Sequence, residues 1–78
     1  MLLYMFDLKV RKGESYNTIK RRFYYQLANS GLSSSSWKTK SVLYIPETLE
    51  KEADAFFRAW GSNSTVFKAK TQWLKKLN

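Results

Sequence analysis

Trp37-Lys38-Thr39-Lys40-Ser41-Val42-Leu43-Tyr44-Ile45-Pro46 is the stretch on which the fold turns. Trp37, Thr39, Ser41, Leu43 and Ile45 fall on one parity, and Lys38, Lys40, Val42 and Tyr44 fall on the other. Successive side chains of an extended chain point to opposite faces, so this alternation predicts a strand. Pro46 ends it, because proline has no N–H to give to a ladder.

Upstream, Ser15 is placed to cap a helix running to about Ser30. At 100° per residue Tyr16, Ile19, Phe23 and Leu27 share one stripe, with Arg21, Arg22 and Tyr25 opposite. Gly31 before Leu32 suits a left-handed stop, and Ser33 to Ser36 reads as a polar linker. Residues 2–10 form the first strand. Leu2, Tyr4, Phe6, Leu8 and Val10 make one parity; Leu3, Met5, Asp7 and Lys9 make the other. Arg11 to Glu14 is a loop.

Downstream, Thr48 is the expected cap of a second helix whose inner stripe is Leu49, Ala53, Phe56 and Trp60. Glu50 and Glu52 sit in its first turn, where the helix dipole favours them, and Gly61 ends it. Residues 64–73 alternate as a third strand, with Thr65, Phe67, Ala69, Thr71 and Trp73 against Val66, Lys68, Lys70 and Gln72. The order β-α-β-α-β over residues 1–78 predicts a single α+β domain of ferredoxin-like type, an antiparallel sheet with two helices packed on one face. That fold has four strands. The fourth is to come from splitting residues 33–46 or from the tail.

The chain has 78 residues, a net charge of +8, and neither cysteine nor histidine. So small a core is marginal, and no disulfide or thiolate–imidazole zinc site can staple it. Thirteen aromatic residues offset this, and a shared core in a homodimer is a further expectation. The apolar N-terminus is interrupted at Asp7, too soon for a secretory leader or a membrane span. A cytoplasmic protein with no membrane partner is expected.

Charge is unevenly placed. Residues 47–58 hold Glu47, Glu50, Glu52 and Asp54 against Lys51 and Arg58, a local −2 that leaves +10 for the rest. If the large apolar residues of each strand face the helices, the other face carries Asp7, Lys9, Lys38, Lys40, Lys68 and Lys70. Arg11 and Lys12 extend this surface through the loop, and Arg21 and Arg22 add to it from the first helix. Such a field predicts binding to the phosphates of DNA or RNA. The bland reading of each lysine is a solubilising residue that keeps sheet edges from pairing.

Catalytic options are few. Histidine triads, thiol nucleophiles and glycine-rich phosphate loops are absent from the sequence. Asp7, at the end of the first strand, is the one candidate catalytic and metal-binding residue, with Mg²⁺ as its cofactor. One carboxylate makes a poor metal site, and two across a dimer axis make a better one. The bland alternative is an Asp that pairs with a lysine or caps a turn.

Several segments resemble the small ferredoxin-like subunit of the CRISPR spacer-acquisition complex, the second CRISPR-associated protein family. They are Leu3-Tyr4-Met5-Phe6-Asp7, the basic helix from Ile19-Lys20-Arg21-Arg22 to Gly31, Lys40-Ser41-Val42-Leu43-Tyr44, Thr48-Leu49-Glu50, and Ser64 to Lys70. Leu43 departs from the pattern, standing where the family places an aromatic. The resemblance implies an antiviral-defence homodimer with two Asp7 side chains near its axis. It further implies either a Mg²⁺-dependent endonuclease or a structural subunit bridging an integrase. Two alternatives stand beside it. One is a protein-interaction or toxin–antitoxin-like module docking through helix 47–60. The other is an RNA-reading open sheet with Tyr44 stacking on bases, which the sequence supports less because central-strand aromatics are few.

Overall fold

The structure is a computed structural model and describes residues 1–32 and 35–78; Ser33 and Ser34 of the expected linker lie outside them. Strand β1 (Leu2–Leu8) leads into helix α1 (Tyr16–Ala28), then strands β2 (Ser36–Thr39) and β3 (Val42–Ile45). A 3₁₀ turn (Glu47–Leu49) follows, then helix α2 (Glu50–Ala59) and strand β4 (Ser64–Lys70). The sheet order is β2-β3-β1-β4 and every neighbouring pair is antiparallel.

The fourth strand comes from splitting the middle segment. Residues 37–45 are not one strand but a hairpin that turns at Lys40-Ser41, with a register shift between Trp37 and Thr39. The Ser41 N–H donates to Thr39 Oγ1 at 3.2 Å, and the Ser41 carbonyl accepts from the Phe6 N–H at 3.0 Å. These bonds fasten the turn to the end of β1.

Leu2, Tyr4 and Phe6 of β1 and Leu43 and Ile45 of β3 face one side of the sheet. There they meet Ile19, Phe23 and Leu27 of α1 and Ala53, Phe57 and Trp60 around α2. Both helices therefore cover one face, as a ferredoxin-like α+β domain requires. Phe23 is fully buried at the centre, its ring 4.9 Å from Phe6 and 5.3 Å from Trp60, while Tyr4 stacks on Phe57 at 5.2 Å. Such pairs each add about 0.5–1.5 kcal/mol beyond the area they bury. They hold together a domain that has no disulfide.

Several local expectations shift. Tyr16 is half exposed and leaves the α1 stripe to Ile19, Phe23 and Leu27. Ser15 occupies the N-cap but its side chain makes no capping bond. The 3₁₀ turn moves the α2 cap from Thr48 to Leu49, and within the helix Phe57 is buried while Phe56 packs only partly against the core. Gly31 is not left-handed. Instead α1 closes through Asn29 Nδ2 donating to the Tyr25 carbonyl (2.8 Å) and Ser30 Oγ donating to the Leu27 carbonyl (2.7 Å). Gly13 holds the positive φ, 87°, within the loop after β1, where glycine alone adopts it without strain.

The largest correction concerns β4. Tyr4 stands opposite Lys68 and Leu2 opposite Lys70, whereas Met5 stands opposite Phe67 and Leu3 opposite Ala69. Since Leu2 and Tyr4 face the helices, so do Lys68 and Lys70, and Phe67 faces away. The sequence expectation had this parity reversed. Val66 sits partly buried against the core, but the rest of β4 runs along the sheet edge, past the end of the apolar layer. There the flank of α2 offers carboxylates in place of hydrocarbon.

Candidate nucleic-acid interface

The acidic stretch is matched by its own neighbours. Lys68 Nζ lies 2.9 Å from Glu50 Oε2 and 3.0 Å from Asp54 Oδ2, and Lys70 Nζ lies 3.5 Å from Glu47 Oε1. Tyr4 donates its hydroxyl to Asp54 Oδ1 at 2.7 Å. Burial pushes the Tyr4 phenol well above its ordinary value, and the Asp54 carboxylate adds to the shift. The Tyr4 and Lys68 hydrogen bonds hold Asp54 below its usual range, and Glu50 and Asp54 raise the Lys68 ammonium. Lys68 and Lys70, expected on a free basic face, are therefore ion-paired to α2 and to the 3₁₀ turn that precedes it.

The four carboxylates of residues 47–54 are equal in number to Lys51, Arg58, Lys68 and Lys70, so the whole net charge of +8 rests on the remainder of the chain. Much of it gathers where the β1–α1 loop, the start of α1 and the β2–β3 turn converge. One cleft of about 330 Å³ takes Asp7, Tyr16, Lys20, Lys40 and Ser41 into its wall. A second, of about 370 Å³, is walled by Met5, Asp7, Lys9, Ser41, Thr65 and Phe67. A third brings Arg11 and Arg22 together beside Asn63. Of the residues predicted from sequence, Lys9, Arg11, Lys40 and Arg22 thus fall around one end. Lys12 is exposed in the same loop and Lys38 in β2. Arg21 is exposed on the helix layer, while the Arg22 guanidinium lies 5.8 Å over the Trp60 ring.

Asn63 organises this end. It is buried, and its Nδ2 donates to the Lys9 carbonyl (3.1 Å) and to Glu14 Oε1 (2.9 Å), while its carbonyl accepts from the Lys9 N–H (2.6 Å). Glu14 also accepts from the Arg11 N–H at 2.7 Å, and these two donors hold its carboxyl below the usual range. A carboxylate thus folds the basic loop back on itself. Asn63, Lys20 and Phe67 were missed from the sequence. Asn63 follows Gly61-Ser62 and looks like any turn residue, Lys20 reads as one more solvated helix charge, and the size of Phe67 predicts an inward position.

Asp7 is exposed at the end of the helix-free face, opposite Thr65. Among the described residues no group of three or more carboxylate, histidine or cysteine side chains forms a metal cluster. One carboxylate with Ser41 and Thr65 near it, and with Lys9, Lys20 and Lys40 sharing its clefts, is a poor divalent-ion site within one chain. Those cations fit an anion better. Compared with known proteins, the chain matches no family model, no curated protein and no solved structure. The resemblance to the spacer-acquisition subunit stands on its sequence motifs alone. Among the described residues no helix is long and apolar enough to cross a membrane.

Proposed function

We propose that this chain is a cytoplasmic nucleic-acid-binding domain that holds phosphates at the end of the sheet where Lys9, Arg11, Lys20 and Lys40 converge. One observation carries the reading. The four acidic residues of 47–54 are balanced by an equal number of cations on the α2–β4 side, so the net +8 lies on the rest of the chain. There Lys9, Arg11, Lys12, Lys20 and Lys40 outnumber Asp7 and the Arg11-paired Glu14 at this end. A field so sorted attracts a polyanion to one side of the molecule. It weighs against the module that docks a partner through its acidic helix, because Glu47, Glu50 and Asp54 already face the lysines of β4 and the N-terminal amine.

The test is a salt titration of binding to duplex and single-stranded oligonucleotides. Affinity should fall steeply with salt, and replacing Lys9, Lys20 and Lys40 together by Ala should make the log–log slope shallower by about 2–3. Unchanged affinity and slope in that variant would sink the proposal.

A further inference from the structure

The helices do not cover the second face of the sheet, where Leu3 is buried, Met5, Val42, Tyr44 and Ala69 are half-buried and Phe67 is exposed; Lys68 and Lys70 are not on it. Leu3 and Met5 of β1, Val42 and Tyr44 of β3, and Phe67 and Ala69 of β4 occupy it. Phe67 is 66% exposed and Tyr44 is half-buried. Lys38 Nζ lies 5.5 Å over the Tyr44 ring, so a cation already sits on the face beside an aromatic. Lys9 stands at the wall of the cleft that Phe67 lines.

Tyr44 is in register with Leu3 and Phe67 with Met5, so the two aromatics stand two strands and two residues apart, a separation of about 12 Å. A single base cannot cover both. Two bases of one strand, each on its own ring, can.

We propose that this helix-free face receives unstacked bases of a single-stranded nucleic acid, one on Tyr44 and one on Phe67, with Lys38 and Lys9 at the flanking phosphates. The base on Tyr44 displaces the Lys38 ammonium from the ring. The proposal rests on the nucleic-acid reading above and adds the substrate class. Charge selects this occupant over a second copy of the chain. Two copies meeting through this face would bring +8 against +8, whereas a nucleic acid brings the opposite sign. Stacking suits the face chemically, because every base has a π-surface and the apolar floor from Leu3 and Met5 excludes water beneath it.

The experiment compares wild-type protein, Phe67→Ala, Tyr44→Ala and the triple Lys9/Lys20/Lys40→Ala variant by fluorescence anisotropy. The probes are an unstructured pyrimidine oligonucleotide and a duplex of the same length. Circular dichroism confirms that each variant folds; Phe67, being exposed, is the substitution that tests the surface without touching the core. Phe67→Ala should weaken single-strand binding about 5- to 150-fold and leave duplex binding nearly unchanged, and Phe67→Trp should restore it. Equal losses on both probes, or none on the single strand, would overturn base stacking while leaving phosphate binding standing if the lysine variant still fails on both. A dimer that dissociates on Phe67→Ala would overturn it too, by giving the face to a second copy. No binding of either probe by the wild type would sink both proposals together.

Discussion

Lys68 Nζ lies 3.0 Å from Asp54 Oδ2 on the helix side of the sheet, one residue from a phenylalanine that points into solvent on the other. The pairing accompanies a β4 parity that sets the character of both sheet faces. A one-residue slip would exchange them, placing Phe67 against the carboxylates of α2 and both lysines in the open. The ion pairs and the Tyr4 hydroxyl thus mark the register that this edge strand takes.

Lys68→Ala and Lys70→Ala should therefore leave the salt slope of nucleic-acid binding nearly unchanged. Their charge is already opposed by Glu47, Glu50 and Asp54, so removing it uncovers acid on the α2 flank and takes nothing from the basic end. Lys20→Ala and Lys40→Ala should each lower the slope by about 1. Anisotropy titrations at several salt concentrations separate the two pairs, and equal slope changes in all four variants would contradict the charge sorting.

The helices and the first strand were legible because their signals are periodic over many residues: Ile19, Phe23 and Leu27 recur at helical spacing, and Leu2, Tyr4 and Phe6 at strand spacing. The hairpin was legible only as an option, since Lys40 and Ser41 lack the Asn-Gly or Asp-Gly chemistry of a strong turn signal and the bulge beside Lys38 blurs the alternation. The β4 parity was hidden for a different reason. Size predicts which residues face a core, but β4 is an edge strand whose helix-side positions beyond Val66 meet the acidic flank of α2, where Lys68 and Lys70 find carboxylate partners. The basic end was legible in part: Lys9, Arg11, Lys12, Lys40 and Arg22 follow from charge and parity, but the addition of Lys20 and the convergence at one end come from the topology.

Tyr4→Phe should cost about 1 kcal/mol, the loss of one buried hydrogen bond, and lower the melting temperature by about 4–8 °C. It should also move the acid limb of the stability curve upward. Asp54 is held below its ordinary value, so its contribution is present above that value and lost as pH falls through the depressed one. Without the Tyr4 donor the depression shrinks. At the alkaline end Tyr4 and Lys68 are both raised above ordinary values of 10.0 and 10.5, so their contributions hold below those values and fade as pH rises through the elevated ones. Thermal melts across pH should show a broad plateau with a wild-type acid limb lying below that of Tyr4→Phe; coincident acid limbs would refute the coupling.

Asn63→Ala should loosen the loop from Lys9 to Glu14 without disturbing the aromatic core. The substitution removes the donors to the Lys9 carbonyl and to Glu14, so the Glu14 carboxyl should titrate closer to its ordinary value. The cost is about 1–3 kcal/mol, that of unpairing a buried polar contact. Hydrogen exchange should accelerate for the amides of Lys9 and Arg11 while that of Phe23 stays protected. Uniform acceleration would mean that Asn63 supports the whole fold and not the loop.

Asp7→Asn distinguishes a binding surface from a nuclease centre. Asp7 shares its two clefts with Lys9, Lys20 and Lys40, so its negative charge stands where the proposed phosphates would pass. Removing it should tighten binding by about two- to tenfold at low salt, an effect that fades as salt screens the charge. Stability should change little, since the residue is exposed and in none of the ion pairs among the described residues. Within one chain the surrounding groups are hydroxyls and ammonium ions, so chelator should leave wild-type binding unaffected. The opposite pattern has a definite meaning. Cleavage that needs Mg²⁺, disappears in Asp7→Asn and stops with chelator would make Asp7 a ligand that holds the ion together with substrate phosphates. If a second copy's Asp7 completes that site, sedimentation of the active species will show a dimer.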